Sequence, residues 1–93
     1  MSVPLSILDL VSVSEGSTAK DAIDASMASA RTADQLGFNR LWFAEHHNMP
    51  NIASSATSLL IQLAASKTKN IRVGSGGIML PNHSPLVIAE QFG

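Results

Sequence analysis

The sequence predicts an α/β fold built on parallel strands. Three observations predict it: short apolar runs alternate with amphipathic stretches, each connection is long enough to hold a helix, and polar residues and glycines gather where the apolar runs end. Parallel strands require crossover connections of a dozen or more residues, and these run right-handed. The order β-α-β-α-β-α suits two architectures, an open doubly wound sheet and the opening of a (β/α)8 barrel. A full barrel takes about 250 residues. The three βα units expected in 93 residues would supply fewer than half of its strands.

The first strand is LSILDLV, Leu5 to Val11. The loop SVSEGST follows, with Gly16 in the turn and Ser17 or Thr18 placed to accept hydrogen bonds from the first free N–H groups of a helix. Between Ala19 and Leu36, residues Ala22, Ile23, Met27, Ala30, Ala33 and Leu36 recur at three- and four-residue spacing. Lys20, Asp24, Arg31, Asp34 and Gln35 fill the rest of the wheel, so this is an amphipathic helix. Gly37 stands where a left-handed cap ends such a helix, and the second strand, RLWFAE, starts at Arg40. A second helix is expected from Ser54 or Ser55, with Ala56, Leu59, Leu60, Leu63 and Ala64 on one face. Lys67 and Lys69 lie near its negative C-terminal end. NIRVGSGGIML, Asn70 to Leu80, reads as a third strand interrupted by glycines. A third helix then opens with Ser84 as cap and Pro85 at its first position.

Composition narrows the class of function. Apolar residues make up 45% of the chain and charged residues 14%, a balance that expects several faces to be covered. The net charge is -1 and the basic residues are scattered singly, so no basic stripe exists to neutralise nucleic-acid phosphates. Cysteine is absent, which removes disulfide and thiolate chemistry and suits a reducing compartment. The opening MSVPLSILDLVSVSEG has no basic segment and no long apolar run. It reads as neither a signal peptide nor a membrane span, and the expected location is the cytoplasm.

Ligands of parallel α/β folds bind at the carboxyl ends of the strands, which makes the closing residues the candidates. They are Asp9 after the first strand, then Glu45, His46, His47 and Asn48, then Ser75, Gly76 and Gly77 with Pro81, Asn82 and His83 beyond. Strand side chains alternate, so Glu45 and His47 share a face and His46 takes the other. A histidine titrates near neutrality and suits proton transfer; the plainer alternative is a polar strand end that meets water. No histidine pair has helical i, i+4 spacing and there is no cysteine, so no metal site is expected. VGSGGIML lacks the G-x-G-x-x-G turn into a helix that dinucleotide binding requires. Its glycines offer either a strand end bare of side chains, where a flat ring could rest, or a simple bulge.

Read together, PLSILDL, GFNRLWFAEHHNMP and IRVGSGGIMLPNHSPLVIAEQFG resemble the N-terminal part of the luciferase-like flavin-dependent monooxygenases, the bacterial luciferase superfamily. The resemblance covers essentially the whole chain. It implies a single partial domain over residues 1–93, the first three βα units of a (β/α)8 barrel. It also implies reduced FMN, or in some branches F420, as cofactor, with dioxygen oxidising a small organic substrate. By the same resemblance His46 is the general acid or base, with Glu45 and His47 as its supports. Ser75, Gly76 and Gly77 become the flavin platform, with a non-prolyl cis peptide at Gly76–Gly77, while Asp9, Asn48, Asn82 and His83 become candidate mouth residues. Relatives continue through five more βα units, so the isolated chain is expected to be an incomplete catalyst and to cover its open faces by forming a homo-oligomer.

Overall fold

The structure is a computed structural model that describes residues 3–93; Met1 and Ser2, where the expected domain begins, lie outside the described residues. The elements are β1 (Ser6–Asp9), α1 (Ala19–Gln35), β2 (Arg40–Phe43), α2 (Thr57–Lys67), β3 (Arg72–Ser75), a 3-10 turn (Leu80–Asn82) and α3 (Pro85–Phe92). The strands form one parallel sheet in the order β1-β2-β3, so chain order is also spatial order. The register sets Leu8 beside Trp42 and Gly74, and Asp9 beside Phe43 and Ser75.

Strand alternation decides which face is the core. Leu41 and Phe43 point at the helices and are buried with Val11, Met27, Ala30, Ala33, Leu60, Ala64 and Ile71. Three of those nine residues are alanines, which lets α1 and α2 lie close against the sheet. The opposite face carries Leu8 at 52% and Trp42 at 38% exposure, with the Arg40 guanidinium 5.8 Å from the indole centroid.

The helix boundaries follow local chemistry. Thr18 and Asp21 form a reciprocal capping box at the start of α1, and Gly37 leaves the helix with φ 79°. Leu36, expected on the apolar face, is instead the C-cap and is 70% exposed, because the helix has ended before it. In the last turn of α1, Asp34 accepts the N–H groups of Lys69, Asn70 and Ile71 at 2.8, 2.9 and 2.8 Å. That staple fixes the entry to β3.

Several expectations need correction. The first strand stops at Asp9, since the Val11 N–H turns back to Asp9 Oδ1 at 2.7 Å and Val11 takes φ 52°. The second helix starts at Thr57, whose buried hydroxyl lies 2.9 Å from both the Ala44 and Ser54 carbonyl oxygens and is shared between them. Leu59 and Ala56 turn outward, and Leu60 and Ala64 alone of the predicted face are fully buried. The third strand ends at Ser75, and Ser84 occupies the cap position of α3 without a side-chain hydrogen bond.

One pairing escaped the sequence. The segment after β1 meets the segment after β2 through an antiparallel bridge between Ser12 and Ile52, flanked by Val13 N–H to Asn51 O and Ala53 N–H to Val11 O. It braces the loop that follows Glu45, His46 and His47.

Candidate active site

The end of β2 breaks the strand pattern: Phe43, Ala44 and Glu45 are consecutive and all buried. Ala44 N–H donates to Asp9 O and Gly76 N–H to Phe43 O, so the three strand ends are stitched together where the polar residues begin. Glu45 thereby points into the space between β2 and the segment that follows β3.

The Glu45 side chain is 1% exposed. Its Oε2 lies 2.6 Å from His47 Nε2, its Oε1 accepts the Met79 N–H at 3.0 Å, and His83 Nε2 lies 2.9 Å from both oxygens. Burial works against a charge here, but the hydrogen bonds from His47, Met79 and His83, aided by the His83 charge, overcome it and bring the Glu45 pKa down from 4.5 to about 2. An ionised carboxylate only accepts, so both Nε2 atoms carry hydrogen.

The structure therefore regroups the candidate residues. Glu45 and His47 meet beyond the end of the strand. Among the described residues no hydrogen bond links Glu45 and His46, and the buried His46 Nδ1 has no partner. His83, expected at the mouth, is the third member of the carboxylate cluster. It lies 38 residues from Glu45, a distance that spacing cannot read; the only available signal was that both stand at neighbouring strand ends.

The remaining candidates divide. Asp9 is partly buried and its Oδ1 is engaged by the Val11 N–H. Asn48 is exposed in the following turn with φ 57°, and Asn82 Nδ2 donates to Met79 Sδ at 3.5 Å. Ser75 closes β3 in register with Phe43.

The Gly76–Gly77 peptide is cis. A Cβ on Gly76 would stand 2.9 Å from Trp42 Cβ, 3.1 Å from Leu8 Cδ1 and 3.2 Å from Trp42 Cε3, whereas one on Gly77 would meet nothing within 4 Å. The glycine pair thus has Trp42 and Leu8 against one residue and open space at the other. Among the described residues no group of three histidine, cysteine, aspartate or glutamate side chains has a metal-holding arrangement. A groove of about 540 Å³ between the α1 and α2 layers, lined by residues such as Ile23, Ile52, Leu59 and Leu63, holds none of the polar cluster. No helix of the described residues is long and apolar enough to cross a membrane.

The sequence profile of the luciferase-like monooxygenases matches residues 3–93. A luciferase-like monooxygenase of Escherichia coli K12 is 56% identical over 91 residues, which are 98% of this chain and 27% of that protein. Among solved structures, apo-MsnO8 superposes with a TM-score of 0.94 at 44% identity, covering 98% of this chain and 28% of that one. The oxygenating component of 3,6-diketocamphane monooxygenase from a Pseudomonas putida plasmid, a type II Baeyer-Villiger enzyme in complex with FMN, superposes with a TM-score of 0.84 at 27% identity. It is covered over 97% of this chain and 25% of its own. The chain spans about a quarter of the length of these relatives, and its sheet and helices match the first βα units of a barrel monooxygenase.

Proposed function

Because this chain belongs to the luciferase-like monooxygenase family, we propose that it carries the histidine and flavin-facing part of an FMN-dependent monooxygenase. The observation that supports this most is the placement of the bare Gly76–Gly77 strand end and of the buried, unpartnered His46 Nδ1 at the carboxyl ends of neighbouring strands. Bound reduced FMN would supply the electrons with which dioxygen oxidises a small organic substrate; F420 is the alternative cofactor. Ser75, Gly76 and Gly77 would hold the ring, because Gly77 leaves open the space that any side chain would fill. His46 would move the proton at Nδ1, a buried ring nitrogen with no hydrogen-bond partner among the described residues. Asn48, Asn82 and, through its free oxygen, Asp9 would face the substrate mouth. Residues 1–93 would be one partial barrel domain, and its place would be the cytoplasm.

Flavin titration tests the reading. Micromolar FMN binding with a shifted absorbance spectrum supports it, and His46→Ala should leave that binding in place. In a longer relative with the same Glu-His-His segment, the same substitution should lower turnover by about 100-fold or more, since general acid–base catalysis contributes roughly 10²–10⁴-fold. Unchanged turnover would remove His46 from the role.

The open sheet face favours a second reading. Leu8 and Trp42 leave an apolar surface on the side away from the helices. On this reading the 93-residue chain is a non-catalytic α/β assembly unit that keeps the family motifs as architecture and covers that face against a second copy. Absence of FMN binding together with a dimeric mass in solution would select it.

A further inference from the structure

Glu45 is usable by either of two partners. It could activate the neighbouring His46, as adjacency in sequence suggests, or it could organise the two other imidazoles. The distances decide. Every strong contact of the carboxylate goes to His47, His83 or the Met79 N–H, and these donors use both oxygens. Two of them belong to the connection between β3 and α3. The third belongs to the loop after β2 that the Ser12–Ile52 bridge braces. The carboxylate therefore ties the two site loops together.

We infer that Glu45 is a positioning residue: it clasps the Met79–His83 segment to the end of β2, fixes His47 and His83 as Nε2–H donors, and leaves His46 outside the clasp. This deepens the flavin reading above and rests on it only for its purpose, since the segment being held follows directly from Gly76 and Gly77. The clasp explains why three histidines of one small chain gather here yet differ in chemistry. His47 and His83 have their Nε2 protons committed, whereas His46 Nδ1 is available for a ligand. It also divides the expected effects: loss of Glu45 displaces a wall of the site, and loss of His46 removes a proton carrier.

Nitrogen-15 spectroscopy of the three imidazoles tests this in the apo chain, before any question of flavin arises. In the unsubstituted protein at neutral pH, the Nε2 atoms of His47 and His83 should both be protonated and slow to exchange, and the Met79 amide should be protected. A deprotonated Nε2 at either ring overturns the clasp, whatever becomes of the variants. Glu45→Leu should abolish both slow Nε2 protons and the Met79 protection while leaving the His46 tautomer ratio unchanged; a change confined to His46 overturns it. Glu45→Gln, with a single acceptor oxygen, should retain the His83 Nε2–H bond, which reaches either oxygen position, and lose either the His47 bond or the Met79 N–H bond. In a longer relative with the same segments, Glu45→Gln should raise KM for flavin roughly tenfold with little change in kcat, the loss of an interaction that positions without reacting. A loss confined to kcat would return Glu45 to the support of His46. If the clasp signals hold but FMN does not bind, the flavin reading fails alone; if FMN binds but the Nε2 signals are absent, the clasp fails alone.

Discussion

Two carboxylates each gather three donors at opposite ends of the same sheet, and they do different work. Asp34, at the end where the strands enter, accepts only backbone N–H groups, those of Lys69, Asn70 and Ile71. Glu45, at the end where the strands leave, accepts one backbone N–H and two imidazoles and is almost wholly out of water. Backbone donors cannot change their protonation, so Asp34 makes a fixed staple. Imidazole donors are side chains carried on two different loops, so Glu45 makes an arrangement that a ligand can meet. The same acceptor chemistry serves stability at one rim of the sheet and the site at the other, the division expected of barrel-type folds.

The largest effect is expected at Gly76. Gly76→Val would drive a side chain into Trp42 and Leu8, with the first atom already at 2.9 Å from Trp42 Cβ. Overpacking of this kind costs about 1–3 kcal/mol. If the ring platform is here, flavin affinity should fall roughly 10- to 100-fold, since about 1.4 kcal/mol is a factor of ten. A urea melt and an FMN titration measure the two losses. An unaltered FMN affinity in a folded Gly76→Val variant would remove the platform from this end of the sheet.

Glu45→Ala comes next. It leaves two imidazole donors and a backbone N–H without their acceptor at a buried position, a loss of about 1–3 kcal/mol in urea-induced unfolding. The pH dependence has a definite sign. The folded pKa is lowered, so the contribution of Glu45 is complete above 4.5 and is lost as pH falls towards about 2. The stability gap between wild type and Glu45→Ala should accordingly narrow across that window. A gap that stays constant through it would mean that the carboxylate's charge is not what holds the cluster.

Much of this division was legible in the sequence, and the limits are physical. Parallel strands and their helices were readable because apolar spacing and the Thr18 and Gly37 signals act locally. The glycine strand end was readable because only a residue without a side chain suits it. Glu45 and His47 do meet, but beyond the end of β2, where strand alternation no longer holds. What could not be read was any link that closes across the sheet: His83 reaching Glu45, Asp34 reaching Lys69 to Ile71, Ser12 meeting Ile52. Nor could the early ends of the first and third strands be read, because a single hydrogen bond from Val11 to Asp9 and the turn at Gly76 override good strand-forming residues.

A smaller loss separates the frame of the site from its chemistry. Thr57→Val keeps the shape of a buried side chain but removes the hydroxyl shared by the Ala44 and Ser54 carbonyls. About 1 kcal/mol of stability should go with it. Since Ala44 precedes Glu45, the His47 and His83 Nε2 protons report whether the frame moved. They should remain slow to exchange, and their loss would show that α2, beyond the carboxylate itself, holds the site loops in place.

The smallest effect is expected at Asp34. Two of its three donors, the Lys69 and Asn70 N–H groups, are exposed, so when Asp34→Ala removes the acceptor, solvent replaces much of what the carboxylate supplied, and only the Ile71 N–H is partly buried. The unfolding midpoint should fall less than for Glu45→Ala, and FMN affinity and the imidazole signals should stay as they are. The backbone N–H groups of Lys69, Asn70 and Ile71 hold its pKa below 3.8. What stability it gives is therefore present above that value and fades as the pH drops below it, the same sign as for Glu45. Equal sign at both rims, with ligand effects at only one, is the outcome that separates a staple from a site. If Asp34→Ala weakened FMN binding as much as Glu45→Ala, the two ends of the sheet would be one coupled unit, and the contrast between backbone and imidazole donors would carry no functional meaning.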